Sequence, residues 1–125
     1  MTDHRKTILV VDDNVVSLEL LRKRLVKKGF EVVCISNALE VIPSLEKELP
    51  DLIILDIMMP LMDGYEFLQH LRNNPETSSI PVIFLTVMAN NELKIEGLEQ
   101  GANDYLAKPI DNAKLLSLLR VWLYR

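Results

Sequence analysis

Short apolar runs alternate along the chain with longer segments in which apolar residues recur every three or four positions. The runs are rich in β-branched residues and contain few polar ones, which is typical of strands covered on both faces. The longer segments have the spacing of helices that bury one side. The apolar runs predict five strands, at residues 7–11, 30–35, 52–55, 82–85 and 105–107.

A helix is predicted after each strand. The first begins at Val15 and is closed by Gly29, and the last begins after a cap at Asp111. The second helix contains Pro43, which should kink or shorten it because proline removes a backbone donor. The remaining helices are expected at residues 38–49, 65–72 and 90–100. Strands joined by crossover helices must be parallel, so the pattern predicts one α/β domain over residues 1–125 with helices on both faces.

Composition narrows the class of protein. The chain has 125 residues, a 49% hydrophobic fraction and a net charge of −4, and an acidic chain is a poor general binder of nucleic acid. The only cysteine is Cys34, which excludes an intramolecular disulfide and a cysteine-based zinc site. The apolar runs are too short to cross a bilayer, and the N-terminus lacks the apolar core of a signal peptide. We therefore expect a cytoplasmic protein that contacts neither membrane nor nucleic acid.

Polar residues follow four of the five predicted strands. Asp12 and Asp13 follow the first, Asp56 the third, Thr86 the fourth and Lys108 the fifth. Ligands of open parallel sheets bind at the carboxyl ends of the strands, so we expect these side chains to form one site.

The charges in this site predict its chemistry. Three carboxylates and one ammonium leave a charge of −2, which a divalent cation would neutralise. Oxygen ligands favour Mg²⁺, Mn²⁺ or Ca²⁺ over zinc. A carboxylate, a divalent metal, a lysine and a hydroxyl together suit phosphoryl transfer to a carboxylate, with Asp56 as the nucleophile.

Six short motifs occupy the predicted strands and turns. They are Ile8-Leu-Val-Val-Asp-Asp13, Asp51-Leu-Ile-Ile-Leu-Asp56, Met59-Pro60 with Asp63-Gly64, Pro81-Val-Ile-Phe-Leu-Thr86, Gly101-Ala102 and Lys108-Pro109. In this order they resemble the receiver domain of bacterial two-component response regulators, the chemotaxis-type fold. The resemblance covers residues 7–122 and implies a doubly wound (βα)5 fold with a five-stranded parallel sheet in the order 2-1-3-4-5.

The resemblance also implies a metal site and its ligands. Asp13 and Asp56 would bind Mg²⁺, or Mn²⁺ in its place, directly. Asp12 would bind largely through water, and the backbone carbonyl of Met58 would supply another ligand.

The same resemblance assigns roles around the phosphoryl group. Asp56 would be the phosphoacceptor, Lys108 its cationic partner, and Thr86 the hydroxyl that follows the phosphoryl oxygen. Thr86 would couple to Tyr105, which turns inward and reshapes the face formed by the fourth helix, fifth strand and last helix. A cis peptide between Lys108 and Pro109 is usual in the family. The resemblance further implies that the receiver would catalyse only its own phosphorylation and slow dephosphorylation, and would otherwise not be an enzyme.

Partners follow from the same resemblance. The phosphoryl donor would be a histidine kinase or a phosphotransfer protein, and a downstream effector would read the output face. We expect a monomer or weak homodimer.

Three residues depart from the commonest pattern. Val87 is larger than usual, and we predict that it narrows access to the phosphoryl group and slows both its gain and its loss. Met58 and Met88 occupy variable positions that help to orient the hydrolytic water in relatives. Because methionine is at best a weak hydrogen-bond acceptor, we predict slow self-dephosphorylation.

Three other functions compete with this interpretation. A flavodoxin-like cofactor binder needs a hydroxyl- or glycine-rich phosphate loop where this chain has Asp12 and Asp13. A phosphatase of the haloacid dehalogenase type needs an acid at the position of Met58. A receiver-like interaction module that is never phosphorylated stays open, although every required side chain is present.

Overall fold

A computed structural model describes residues 5–57, 59, 63–87 and 101–124. Its strands are β1 (Thr7–Val11), β2 (Glu31–Ile35), β3 (Leu52–Asp56), β4 (Val82–Thr86) and β5 (Asp104–Ala107). Its described α-helices are α1 (Val15–Lys27), α2 (Val41–Lys47), α3 (Gly64–Asn73) and α4 (Asn112–Leu123), and a short 3₁₀ helix spans Ala38–Glu40. The predicted helix at residues 90–100 lies outside the described residues.

The five strands form one parallel sheet in the order β2-β1-β3-β4-β5. This confirms the predicted doubly wound α/β fold and its strand order. Every residue of β1, β3 and β4 is buried, whereas the edge strand β2 is largely half-exposed. Central strands are covered on both faces, which explains why their sequences are almost wholly apolar.

Alternate residues along each strand point to opposite faces of the sheet and feed two separate cores. One core joins α2 and α3 to the sheet through Leu9, Val11, Val41, Leu45, Ile53, Leu55, Phe67, Leu68, Leu71, Phe84 and Tyr105, among others. The other joins α1 and α4 to the sheet through Ile8, Val10, Leu18, Leu21, Leu25, Ile54, Ile83, Leu85, Leu115 and Leu118, among others. The described helices therefore lie on both faces, as predicted.

Side-chain caps set the starts of three helices. The carboxamide of Asn14 accepts from the N–H of Ser17 at the start of α1. Asp63 caps α3, and Asp111 caps α4 as predicted, each accepting two backbone N–H groups. These bonds satisfy donors that have no partner within the helix. Gly29, at φ 95°, lets the chain reverse after α1 toward β2.

Pro43 shortens the second helical segment, as predicted. The expected helix at 38–49 is a 3₁₀ turn followed by α2, which begins at Val41. Pro43 is then the third residue of α2, within the first turn, where a backbone N–H needs no intrahelical partner. The proline therefore determines where α2 begins.

Other element ends differ from the predictions by one residue. Asp56 and Thr86 are the last residues of β3 and β4 instead of following them, and β5 begins at Asp104. The described residues contain no helix with the length and apolar character needed to cross a membrane.

Candidate functional site

Asp12 and Asp56 lie at the carboxyl ends of the neighbouring strands β1 and β3. Their side chains are nearly removed from solvent, because the residues are 1% and 6% exposed. Asp12 directly follows Val11, and Val11 is paired with Leu55, the residue before Asp56. The parallel register therefore places the two carboxylates side by side, and burial obliges each to find a partner.

Lys108 supplies that partner from the end of β5. Its Nζ lies 2.8 Å from Oδ2 of Asp12 and 3.1 Å from Oδ2 of Asp56. The peptide bond between Lys108 and Pro109 is cis, as the family resemblance implied. The backbone N–H of Lys108 also donates to the carbonyl of Thr86 at 2.8 Å, which ties the lysine to the end of β4.

Burial and charge shift the pKa values of Asp12 and Lys108. Burial raises the pKa of Asp12, and the hydrogen bond from Lys108 only partly offsets this. Burial alone would lower the pKa of Lys108, but its hydrogen bonds to Asp12 and Asp56 raise it overall. The lysine therefore keeps its proton and remains a fixed positive charge in the site.

Asp13 completes an acidic cluster. One carboxylate oxygen from each of Asp12, Asp13 and Asp56 lies within 4.8 Å of the other two, and Asp13 is exposed while the others are buried. Only oxygen ligands are offered, with one open side, and this donor set fits Mg²⁺, which binds one or two carboxylates and keeps several waters. The fourth predicted ligand, the carbonyl of Met58, lies outside the described residues.

Thr86 ends β4, the strand next to that of Asp56, and Tyr105 lies on the neighbouring β5. Thr86 is 2% exposed, and it follows Leu85, the register partner of Asp56. Tyr105 is 4% exposed, and its ring packs edge-on against Phe84 with centroids 5.6 Å apart. Tyr105 is thus inward in this conformation, and its coupling to phosphorylation stays a prediction.

The exposure of Val87 bears on access to the site. Val87 directly follows Thr86 and is 65% exposed. Its role in slowing phosphoryl gain and loss stays a prediction, and Met88 lies outside the described residues.

Sequence reasoning missed two contacts that shape the site. Oδ1 of Asp12 accepts from the N–H of Asn14 at 2.9 Å, which orients the carboxylate. Nη1 of Arg24 on α1 donates to the carbonyl of Ile110 at 3.1 Å, which holds the chain that follows Lys108. The Asp-x-Asn spacing could have indicated the first contact. Nothing in the sequence indicates the second, which joins residues 86 positions apart.

Beside the pair formed by Asp12 and Lys108 is a small cavity of about 160 Å³. Its walls come from α1, the end of β4 and the segment after Lys108, and they include Ser17, Leu20, Leu21, Arg24, Leu85, Pro109 and Ile110. The site is therefore open toward α1 as well as toward solvent.

Comparison with known families gives one clear match. The family model described as the response regulator receiver domain matches residues 8–120 of this chain. Response regulator PleD of Caulobacter vibrioides is 39% identical over 113 residues, which are 90% of this chain and 25% of PleD. The chain thus spans about a quarter of the length of that relative.

Solved structures agree with the family match. The chemotaxis protein CheY4 of Vibrio cholerae has a TM-score of 0.89 and 31% identity, covering 96% of this chain and 100% of its own. The receiver domain of the sensor histidine kinase PA1611 from Pseudomonas aeruginosa has a TM-score of 0.87 and 30% identity, covering 98% of this chain and 100% of its own. That structure contains a magnesium ion coordinated in its active site cleft.

The sheet order, the acidic cluster and the family model lead to the same assignment. This chain belongs to the response regulator receiver domain family.

Proposed function

We propose that this receiver accepts a phosphoryl group on Asp56 from a phosphohistidine donor in a Mg²⁺-dependent reaction. The donor would be a histidine kinase or a phosphotransfer protein acting in the cytoplasm. The receiver would catalyse the transfer to itself, lose the group slowly, and have no separate substrate to turn over.

One observation carries this proposal. The ammonium of Lys108 lies within hydrogen-bond distance of two buried carboxylates, on Asp12 and Asp56, at the carboxyl edge of the sheet. Two buried anions and one cation leave a net negative charge, and the exposed Asp13 adds another. An ion pair made only for stability would need one carboxylate, so the excess charge favours a cation site.

Three side chains would have separate roles in the phosphoryl transfer, those of Asp56, Lys108 and Thr86. An oxygen of Asp56 forms the new bond to phosphorus while the bond between phosphorus and the donor nitrogen breaks, and the electron pair of that bond returns to the imidazole. Lys108 then balances the charge of the phosphoryl oxygens. The hydroxyl of Thr86, at the end of the adjacent strand, donates to one of those oxygens.

Asp12, Asp13 and Asp56 are the residues that would hold Mg²⁺. When bound, the cation would supply positive charge beside the phosphoryl oxygens and so lower the barrier to transfer.

The output of the switch would be read at the face that contains β5 and α4. Drawing Thr86 toward the phosphoryl group changes the space beside Tyr105, the buried aromatic residue of β5. The charge that the phosphoryl group adds at Asp56 thereby shifts the relative populations of two conformations. The predicted helix at 90–100 would complete this face, and a downstream effector would bind there.

Intact-protein mass spectrometry with acetyl phosphate tests the proposal. With Mg²⁺ the wild type should gain one phosphoryl group, and chelation of the metal should prevent the gain. Asp56→Asn should not be labelled. The matched control is Asp111→Asn, because Asp111 is an exposed helix cap and asparagine caps equally well. It should be labelled like the wild type.

Two results would contradict the proposal. Labelling of Asp56→Asn at the wild-type rate would place the phosphoryl group elsewhere. Failure of the wild type to be labelled by acetyl phosphate, together with failure to bind beryllofluoride and Mg²⁺, would favour an interaction module that is never phosphorylated.

A further inference from the structure

Three aromatic rings form a connected row on one face of the sheet. Phe84 in the centre of β4 contacts Tyr105 of β5 and Tyr65 of α3, with ring centroids 5.6 and 5.7 Å apart. Both contacts are edge-to-face, at 83° and 84°, and Phe84 is completely buried. A movement of Tyr105 therefore changes the packing around Phe84, and Phe84 passes that change to Tyr65.

The hydroxyl of Tyr65 lacks a hydrogen-bond partner among the described residues, although it is buried. A buried hydroxyl loses its bonds to water, so leaving it unpaired penalises the conformation in which this occurs. A phenylalanine at position 65 would avoid that penalty. The conformation with Tyr105 inward thus carries an unfavourable contribution that comes from one oxygen atom of Tyr65.

Tyr65 cannot easily relieve this penalty by moving its backbone. Its N–H donates to Oδ1 of Asp63, the cap of α3, at 2.9 Å. The preceding Gly64 packs so closely on Ile57 that a Cβ there would lie 3.2 Å from Cγ2 of Ile57. Ile57 directly follows Asp56, so the first turn of α3 is held against the phosphoacceptor strand.

We propose that Tyr65 is a positioning residue of the switch and sets the balance between inward and outward Tyr105. When Tyr105 leaves the row, Phe84 gains room to shift, and the hydroxyl of Tyr65 reaches water or a polar group. The hydroxyl therefore favours the outward state and holds the switch back until phosphorylation. This inference rests on the proposed function, because it assigns the inward state to the phosphorylated receiver.

Tyr65→Phe removes only the hydroxyl and tests the inference directly. The chain has three tyrosines, so ring-labelled tyrosine gives a simple NMR spectrum in which each phenylalanine variant assigns one residue. Nuclear Overhauser contacts between Tyr105 and Phe84 report the inward state without any phosphoryl group. In Tyr65→Phe the ratio of inward to outward Tyr105 should rise about fivefold to tenfold.

Tyr124→Phe is the matched control, because Tyr124 is 61% exposed and its loss of a hydroxyl should leave the Tyr105 ratio unchanged. A second measurement is the apparent affinity for beryllofluoride with Mg²⁺. A ligand that binds the inward state should bind Tyr65→Phe more tightly by up to the same factor.

The inference is overturned if the Tyr105 ratio in Tyr65→Phe stays within about twofold of wild type, even if the variant resists urea better. That pattern would show that the hydroxyl of Tyr65 affects the stability of the fold and not the position of Tyr105. Failure of the wild type to bind beryllofluoride would instead contradict the proposed function, and the ring measurement in the free protein would still decide the role of Tyr65.

Discussion

The Nζ of Lys108 lies closer to Oδ2 of Asp12, at 2.8 Å, than to Oδ2 of Asp56, at 3.1 Å. In this conformation the lysine therefore pairs at least as strongly with a predicted metal ligand as with the predicted phosphoacceptor. Because one ammonium serves two buried carboxylates, the folded site carries unbalanced negative charge.

Asp12→Asn should relieve part of that charge. In a chelating buffer we expect the variant to unfold with a free energy about 1 kcal/mol above that of the wild type, because a buried carboxylate with a raised pKa is costly to keep ionised. Saturating Mg²⁺ should reverse the order, since it stabilises the wild type by roughly 2.7 kcal/mol at a hundredfold excess over its dissociation constant. Urea unfolding followed by circular dichroism measures both. A variant that is less stable than wild type in chelator would refute the argument.

Replacing Arg72 with lysine should destabilise the folded protein, even though the positive charge is kept. Its guanidinium donates to the carbonyls of Ser78, Ile80 and Gly101 and to Oδ1 of Asn103, at 2.8 to 3.2 Å. Lysine offers three donors on one atom and cannot reproduce this planar arrangement. We expect Arg72→Lys to lower the unfolding free energy by about 1–3 kcal/mol in urea titrations.

Arg120→Lys is the control for that measurement, because Arg120 is exposed on α4 and should tolerate lysine. Equal losses in the two variants would show that the loss of the guanidinium group, and not the network at Arg72, is responsible.

Met88→Glu should shorten the lifetime of the phosphorylated form. The wild-type residue cannot hold a water molecule strongly, whereas a carboxylate can orient one toward the phosphoryl group. We expect the decay of phosphorylated protein, followed by mass spectrometry after donor removal, to accelerate roughly tenfold. Met88→Leu, which is equally unable to bind water, should decay like the wild type. Rapid decay of the wild type itself would count against slow self-dephosphorylation.

Cys34 should react slowly with alkylating reagents. It is half-buried, and burial raises its pKa above the ordinary 9.0. Because the thiolate is the reactive form, the rate should still be rising with pH beyond 9.0 in the folded protein. Iodoacetamide kinetics across that range measure this, with urea-unfolded protein as the reference. A rate that levels off below pH 9 would contradict the expected direction.

The sheet could be predicted because its central strands have no exposed face. In β1, β3 and β4 every position is buried, so the sequence shows continuous apolar runs. The edge strands β2 and β5 mix exposed and buried positions. Pro43 also made the shortening of the second helix predictable, since a proline restricts where a helix can begin.

The acidic cluster could be predicted for a topological reason. Parallel strands end at the same edge of the sheet, and this brings together Asp12, Asp13 and Asp56 independently of the details of side-chain packing. The contacts that adjust the site depend on side-chain geometry between distant segments. Arg24 reaches Ile110 across 86 residues, and nothing in the sequence indicates that the hydroxyl of Tyr65 lacks a partner among the described residues.

The backbone N–H of Lys108 donates to the carbonyl of Thr86 and so joins the chain after β5 to the end of β4. The ammonium of Lys108 and the hydroxyl of Thr86, which we propose contact an incoming phosphoryl group, therefore belong to neighbouring backbones that are also paired along β4 and β5. A displacement of either side chain would act on a backbone bonded to the other, so phosphoryl binding and the start of the proposed conformational change would share one location.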